Sequence, residues 1–220
     1  MVSKIAVFLS KNGADLQCVI DACADRRVKG RVEFVVSSSE DTPGLNRAVN
    51  AGILSVFPDP FRHNDMESFY QEVAHYLRVL EIDWIFLIEY DYYIPRWFVK
   101  EFFPRIFGAY PSLDQSFLRK KDSGLLSAIK AIKNSLEETG LILYLLEDGK
   151  GVMDSALFIE KVPVFPDTDS PWTLYHRVKK LEYCMIPNFL SKLTSGELLV
   201  GEDGRLKQGE VVNPYDKYLI

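Results

Sequence analysis

The sequence predicts a single α/β domain: a mostly parallel, Rossmann-like twisted sheet with helices on both faces and a mixed C-terminal extension. Three observations point there. Apolar runs rich in branched residues recur through the first half and have no polar face, as strands covered on both sides should read. Helix-length segments separate them, the spacing of βαβ units with right-handed crossovers. The second half then changes to an amphipathic helix, two strands joined by a tight turn, and one long helix. Residues 1–195 are expected to form this domain and residues 196–220 a tail.

The first strand is residues 4–9, and the turn Ser10-Lys11-Asn12-Gly13 feeds a helix through Cys18, Val19, Ile20 and Ala22. Residues 31–37 are the second strand. A helix follows from Pro43 to Ala51, stopped by Gly52. Residues 53–56 make a short third strand, and Asp65 is the expected N-cap of a helix over 66–80. Residues 83–88 are as apolar as a central parallel strand should be. Helix 95–103 and a short fifth strand at 105–108 complete the first half. Leu125, Leu126, Ile129, Ile132 and Leu136 recur at helical spacing, which predicts a helix over 122–138. Residues 141–146 and 156–162 read as a strand pair. Ser170 and Pro171 open the long helix as N-cap and first residue, and Pro187 should kink it. Glu202-Asp203-Gly204 predicts a small hairpin in the tail.

Composition excludes several classes. The chain of 220 residues is 47% hydrophobic and 26% charged, ordinary for a globular protein, with a net charge of −5. No basic patch dominates, so nucleic acid is not an expected partner. No run approaches a membrane span, and residues 1–20 lack an apolar targeting region. Cys18, Cys23 and Cys184 form neither a metal spacing nor an even disulfide set, which fits a reducing, cytoplasmic setting. No metal site is expected, and the chain is expected as a monomer or homodimer.

A strand that ends in Asn-Gly and feeds a helix leaves backbone N–H groups unpaired at the positive end of the helix dipole. That arrangement suits a phosphate, although an ordinary βα turn reads the same way.

Several segments, in order, resemble glycinamide ribonucleotide transformylase (phosphoribosylglycinamide formyltransferase), the folate-dependent enzyme family of purine biosynthesis. Residues 10–17, Ser-Lys-Asn-Gly-Ala-Asp-Leu-Gln, are similar to the family's Ser-Gly-Asn-Gly-Ser-Asn-Leu-Gln. Residues 37–38, 44–48 and 51–53 are similar to its next segment. Pro111-Ser112-Leu113 matches the end of Asn-x-His-Pro-Ser-Leu, and residues 161–164 and 177–182 match later landmarks. The resemblance implies a phosphate- and ribose-binding site at Asn12, Gly13, Ala14, Lys179 and Glu182. It implies 10-formyltetrahydrofolate as cofactor if the family activity survives, and a small phosphorylated ligand as partner.

Departures from the pattern bear on activity. Lys11 stands for a family Gly and Asp15 for a family Asn; an Asp15 carboxylate would repel a phosphate, or cap the helix in its place. The catalytic Asn and His positions are Gly108 and Tyr110. The family's catalytic Asp falls at Gly151 or Val152, flanked by Asp148 and Asp154 out of register. The small Gly-containing loop that binds the pterin is replaced by Glu89, Tyr90, Asp91 and Tyr92. A divergent member without standard formyl transfer is therefore expected. An enzyme with chemistry rebuilt on Tyr110 with Asp148, Asp154 or Glu89 is the alternative. A structural or regulatory oligomer using Trp97, Phe98, Phe102 and Phe103 is a third.

Overall fold

The computed structural model describes residues 2–10, 12–114 and 124–208. Lys11, the beginning of the helix expected at 122, and the tail beyond 208 fall outside the described residues. Five parallel strands come first: β1 (Ser3–Leu9), β2 (Gly30–Ser37), β3 (Leu54–Val56), β4 (Trp84–Ile88) and β5 (Ile106–Tyr110). Antiparallel β6 (Glu138–Leu145) and β7 (Ala156–Pro163) extend the sheet, giving the order β3-β2-β1-β4-β5-β6-β7. A separate antiparallel pair, β8 (Leu198–Val200) and β9 (Leu206–Gln208), flanks the expected turn at 202–204.

Helices cover both faces because the strands are apolar on both. Ile5, Val7 and Leu9 of β1 pack on one side with α1 (Ala14–Ala24) and the C-terminal half of α6 (Pro171–Ser195). Ala6 and Phe8 pack on the other side with α3 (Met66–Val79) and α4 (Arg96–Phe102). Each of these five β1 side chains is buried. Phe98 and Phe102 are buried in the second core, and Trp97 packs against it, so these aromatics serve the interior.

Among the described residues, side-chain caps set the starts of three helices. Thr42 accepts from the Leu45 N–H at the start of α2 (Pro43–Asn50), and Asp65 with Ser68 forms a reciprocal capping box on α3. Ser170 accepts from the Thr173 N–H at the start of α6, which runs on through the buried Pro187. The helix expected over 122–138 is shorter: α5 ends at Lys133, and Glu138 already belongs to β6. Ser135 adopts φ 49°, while the Ser135 and Leu136 N–H groups bond Ile132 O and Ala131 O. That is a Schellman stop made without glycine.

Candidate functional site

The strand order changes direction between β1 and β4, where α1 leaves one side and the segment after β4 the other. Ligands of open α/β sheets bind at such crevices, beyond the carboxyl ends of the strands. Four charged side chains meet there. The Lys179 ammonium lies 2.8 Å from Asp15 Oδ2 and 3.7 Å from Glu89 Oε1, and it is paired with Glu182 Oε2 one helical turn along. The side chains of Lys179, Asp15 and Glu182 are 6%, 3% and 3% exposed, so this is an interior charge cluster.

Three carboxylates around one ammonium leave the cluster short of positive charge. Burial and the Asp15 charge raise the Glu182 carboxyl to about 8 against the pull of Lys179. Burial likewise raises Asp15, with Lys179 opposing and Glu89 adding to the effect. Burial works against the Lys179 ammonium, but Glu182, Asp15 and Glu89 together hold it charged, above its ordinary range. Asp15 Oδ1 is buried without a hydrogen-bond partner among the described residues.

Local backbone explains how these groups are aimed. Gly13 is the N-cap of α1 with φ 69°, a left-handed conformation that glycine adopts freely. A Cβ on Gly13 would sit 2.4 Å from Gly44 Cα, so the starts of α1 and α2 touch backbone to backbone. No side chain caps α1, and Asp15 in its first turn reaches for Lys179 instead of taking the N-cap position. Glu89, directly after β4, has φ 46°, a strained setting for a residue with a side chain. The next backbone N–H but one, that of Asp91, bonds Ser10 Oγ at the end of β1.

A second, aromatic cleft of about 330 Å³ opens beyond β4, lined by Tyr90, Tyr92, Tyr93, Arg96, Tyr144 and Asp148 among others. Tyr90 bonds the Tyr70 hydroxyl at 3.0 Å and stacks edge-on against Phe8, so it is partly a core residue. Tyr144 stands directly opposite Gly108 across the β5–β6 pair. A Cβ at Gly108 would fall 2.5 Å from both Cζ and Oη of Tyr144. The phenol ring thus occupies the space of a residue-108 side chain. Burial pushes its hydroxyl up to about 12, so it stays protonated at neutral pH.

The anticipated site residues divide into groups. Lys179 and Glu182 do share one face of α6, and it is a buried face running through Leu174, Val178, Glu182 and Ile186, with Leu181 and Met185 only half-buried. Asn12 is exposed and its carbonyl accepts from Arg47 Nε; Gly13 is buried and Ala14 half-buried. Glu89 joins the charge cluster, whereas Tyr90 and Tyr92 line the aromatic cleft. Tyr110 ends β5 opposite Ile142, while the turn carrying Asp148 leaves β6 beyond Leu145, opposite Phe107. Asp148 is ion-paired with Arg96 at 2.7 Å and Lys100 at 3.6 Å, and these cations hold its carboxyl below the usual range. Asp154 is exposed, accepts from the Gly151 N–H, and lines a different cleft of about 540 Å³ with Lys150, Asp203 and Arg205. Among the described residues no cluster of His, Cys, Asp and Glu suits a metal ion, and no helix is long and apolar enough to cross a membrane.

The sequence alone did not single out Tyr144. The one local hint is Gly108 itself, since a glycine inside an apolar strand marks a place where another group approaches closely without saying which.

Comparison with known proteins follows the same architecture. Residues 3–190 match the family described as Formyl transferase. The chain is 30% identical over 213 residues to a phosphoribosylglycinamide formyltransferase of Escherichia coli (strain K12), covering 96% of each chain. It is 31% identical over 201 residues to the Haemophilus influenzae protein of the same name, covering 90% of each. The crystal structure of glycinamide ribonucleotide transformylase 1 from Symbiobacterium toebii superimposes with a TM-score of 0.79 at 25% identity, covering 95% of both chains.

Proposed function

This chain belongs to the formyl transferase family, alongside the phosphoribosylglycinamide formyltransferases, and from that premise we propose that it is a divergent member without standard 10-formyltetrahydrofolate-dependent formyl transfer. The observation that carries this reading is the Gly108–Tyr144 contact. Transfer of a formyl group to an amine needs a donor for the developing oxyanion and a group to relay the proton. The resemblance puts an amide donor at residue 108, where a ring now fills the space a side chain would need. Tyr110 has a phenol where the family has an imidazole, and a phenol with an ordinary pKa near ~10 is a poor base at neutral pH. Asp148 is drawn onto Arg96 and Lys100. A cleft of about 330 Å³ has room for a ring, but its lining among the described residues includes neither a side-chain amide nor an imidazole.

What the reading retains is recognition: a small phosphorylated, ribonucleotide-like ligand at Asn12, Gly13, Ala14, Lys179 and Glu182, held more weakly than in an active relative. The protein works in a soluble, cytoplasmic setting on this reading.

The test is direct. Purified protein is incubated with 10-formyltetrahydrofolate and glycinamide ribonucleotide, with the E. coli relative as the positive control. No formylated product above background is expected. One oxyanion donor is worth on the order of 10²–10³ in rate, and an acid–base group about 10²–10⁴. Turnover within about 100-fold of the control would therefore overturn the reading.

A further inference from the structure

The charge cluster contains its own anion. Helix α1 is 11 residues long, and no side chain caps it. Such an N-terminus beside a buried ammonium is physically an anion site, with backbone N–H groups and the helix dipole adding to the cation. Yet Lys179 spends its charge on groups of this chain. Asp15 Oδ2 accepts from its Nζ at 2.8 Å, Glu182 pairs with it, and Glu89 stands 3.7 Å away. Asp15 is 2% exposed, its Oδ1 makes no hydrogen bond among the described residues, and the neighbouring Glu182 carboxyl can donate to Asp15 when protonated.

We infer that Asp15 is a built-in counter-anion: it occupies, on Lys179 beside the uncapped first turn of α1, the place that the anionic group of a ligand would take, and it thereby sets the anion affinity of this site. Glu89 reinforces the effect as a second carboxylate aimed at the same ammonium. The inference rests on the proposed phosphate site only for its location; the competition between Asp15 and an incoming anion follows from the charges. A dianionic phosphate arriving at neutral pH meets Asp15 and Glu89 around the one cation, with the Glu182 carboxyl holding its proton. Neutralising Asp15 leaves Lys179 paired with Glu182 and Glu89, so the ammonium is not stranded and the fold keeps its buried pair.

The experiment compares wild type, Asp15→Asn and Asp15→Asn/Glu89→Gln by calorimetric titration with inorganic phosphate and with ribose 5-phosphate. Asp15→Ser serves if the Asn variant does not fold, as judged by its melting curve. Asp15→Asn is expected to bind at least tenfold more tightly than wild type, about 1.4 kcal/mol, and the double variant more tightly still. Adding Lys179→Met to Asp15→Asn should abolish the gain. Equal, measurable affinity in wild type and Asp15→Asn would overturn the counter-anion role while leaving the phosphate site standing. Binding in none of the proteins would overturn both.

Discussion

Replacing Gly108 with asparagine asks whether the family's donor amide can coexist with Tyr144. An ideal Cβ at residue 108 would lie 2.5 Å from Cζ and Oη of that ring and 2.7 Å from Cε1. Ordinary carbon contacts sit at about 3.5–4.0 Å, so the ring must retreat by about 1 Å for Cβ alone and further for the amide. Tyr144 lines the aromatic cleft, which gives the ring room to retreat, and leaving its place across from β5 forfeits packing there. Overpacking of this kind costs about 1–3 kcal/mol. For a chain of this length that lowers the melting temperature by about 2–12 °C, at about 2–4 °C per kcal/mol. The assay is urea unfolding of a double-mutant cycle: Gly108→Asn, Tyr144→Val and the pair. If the ring causes the cost, Gly108→Asn should be at least about 1 kcal/mol cheaper once Tyr144→Val has removed the ring, within the usual coupling range for contacting residues. The pair should still not transfer formyl groups, because Tyr110 remains where the family has an imidazole. A Gly108→Asn variant as stable as wild type, with no coupling to residue 144, would refute the packing reasoning and weaken the functional reading built on it.

Stability should depend on pH through the charge cluster. Glu182 titrates near 8 in the folded protein against an ordinary 4.5, so between those values the folded state holds a proton that the unfolded state has lost. Stability should then fall as pH rises from about 5 to about 8, by at most about 1.4 kcal/mol per pH unit per proton. Asp15 acts in the same sense, Glu89 and Lys179 face the same proton, and Tyr175, Tyr183 and Cys18 feel the cluster's charge. Urea midpoints at several pH values would show this, and Glu182→Gln should flatten the profile; a midpoint that climbs across the window would contradict it. Lys179→Met should cost about 3–5 kcal/mol, since it strands buried carboxylates, and a thermal melt within about 2–3 °C of wild type, about 1 kcal/mol, would count against a buried pair. Gly13→Ala combines a left-handed residue with a Cβ 2.4 Å from Gly44 Cα, so a loss of about 2–4 kcal/mol is expected by chemical denaturation.

How much of this was legible beforehand depends on the distance over which each cause acts. Strands declared themselves through apolar runs buried on both faces, as in residues 5–9 of β1. Capped helices did so through Asp65 and Ser170, whose side chains bond N–H groups three residues on. The end of α5 was not legible, because Ser135 does there what glycine does at Gly52 after α2. Within the site, Lys179 and Glu182 were readable as neighbours because three residues make nearly one helical turn. The partner of Lys179 was not: Asp15 lies 164 residues away in sequence, and local chemistry argued equally for a helix cap. Tyr144 was hidden for a related reason. Its significance depends on the β5–β6 register, which places it against Gly108, and single-sequence patterns do not fix the register that pairs residues 108 and 144.

The backbone weld between Gly13 and Gly44 divides the labour around the crevice. With the Arg47 guanidinium also holding the Asn12 carbonyl, the first turn of the molecule behaves as an anvil. On the proposed reading, the room for a ligand lies across the crevice, where the tyrosine-bearing stretch after β4 and the bend after β6 line the aromatic cleft. A substitution that enlarges Gly13 meets backbone, whereas one in those two stretches meets open cleft, so the rim across from the anvil is the part of the crevice that can be reshaped at least cost.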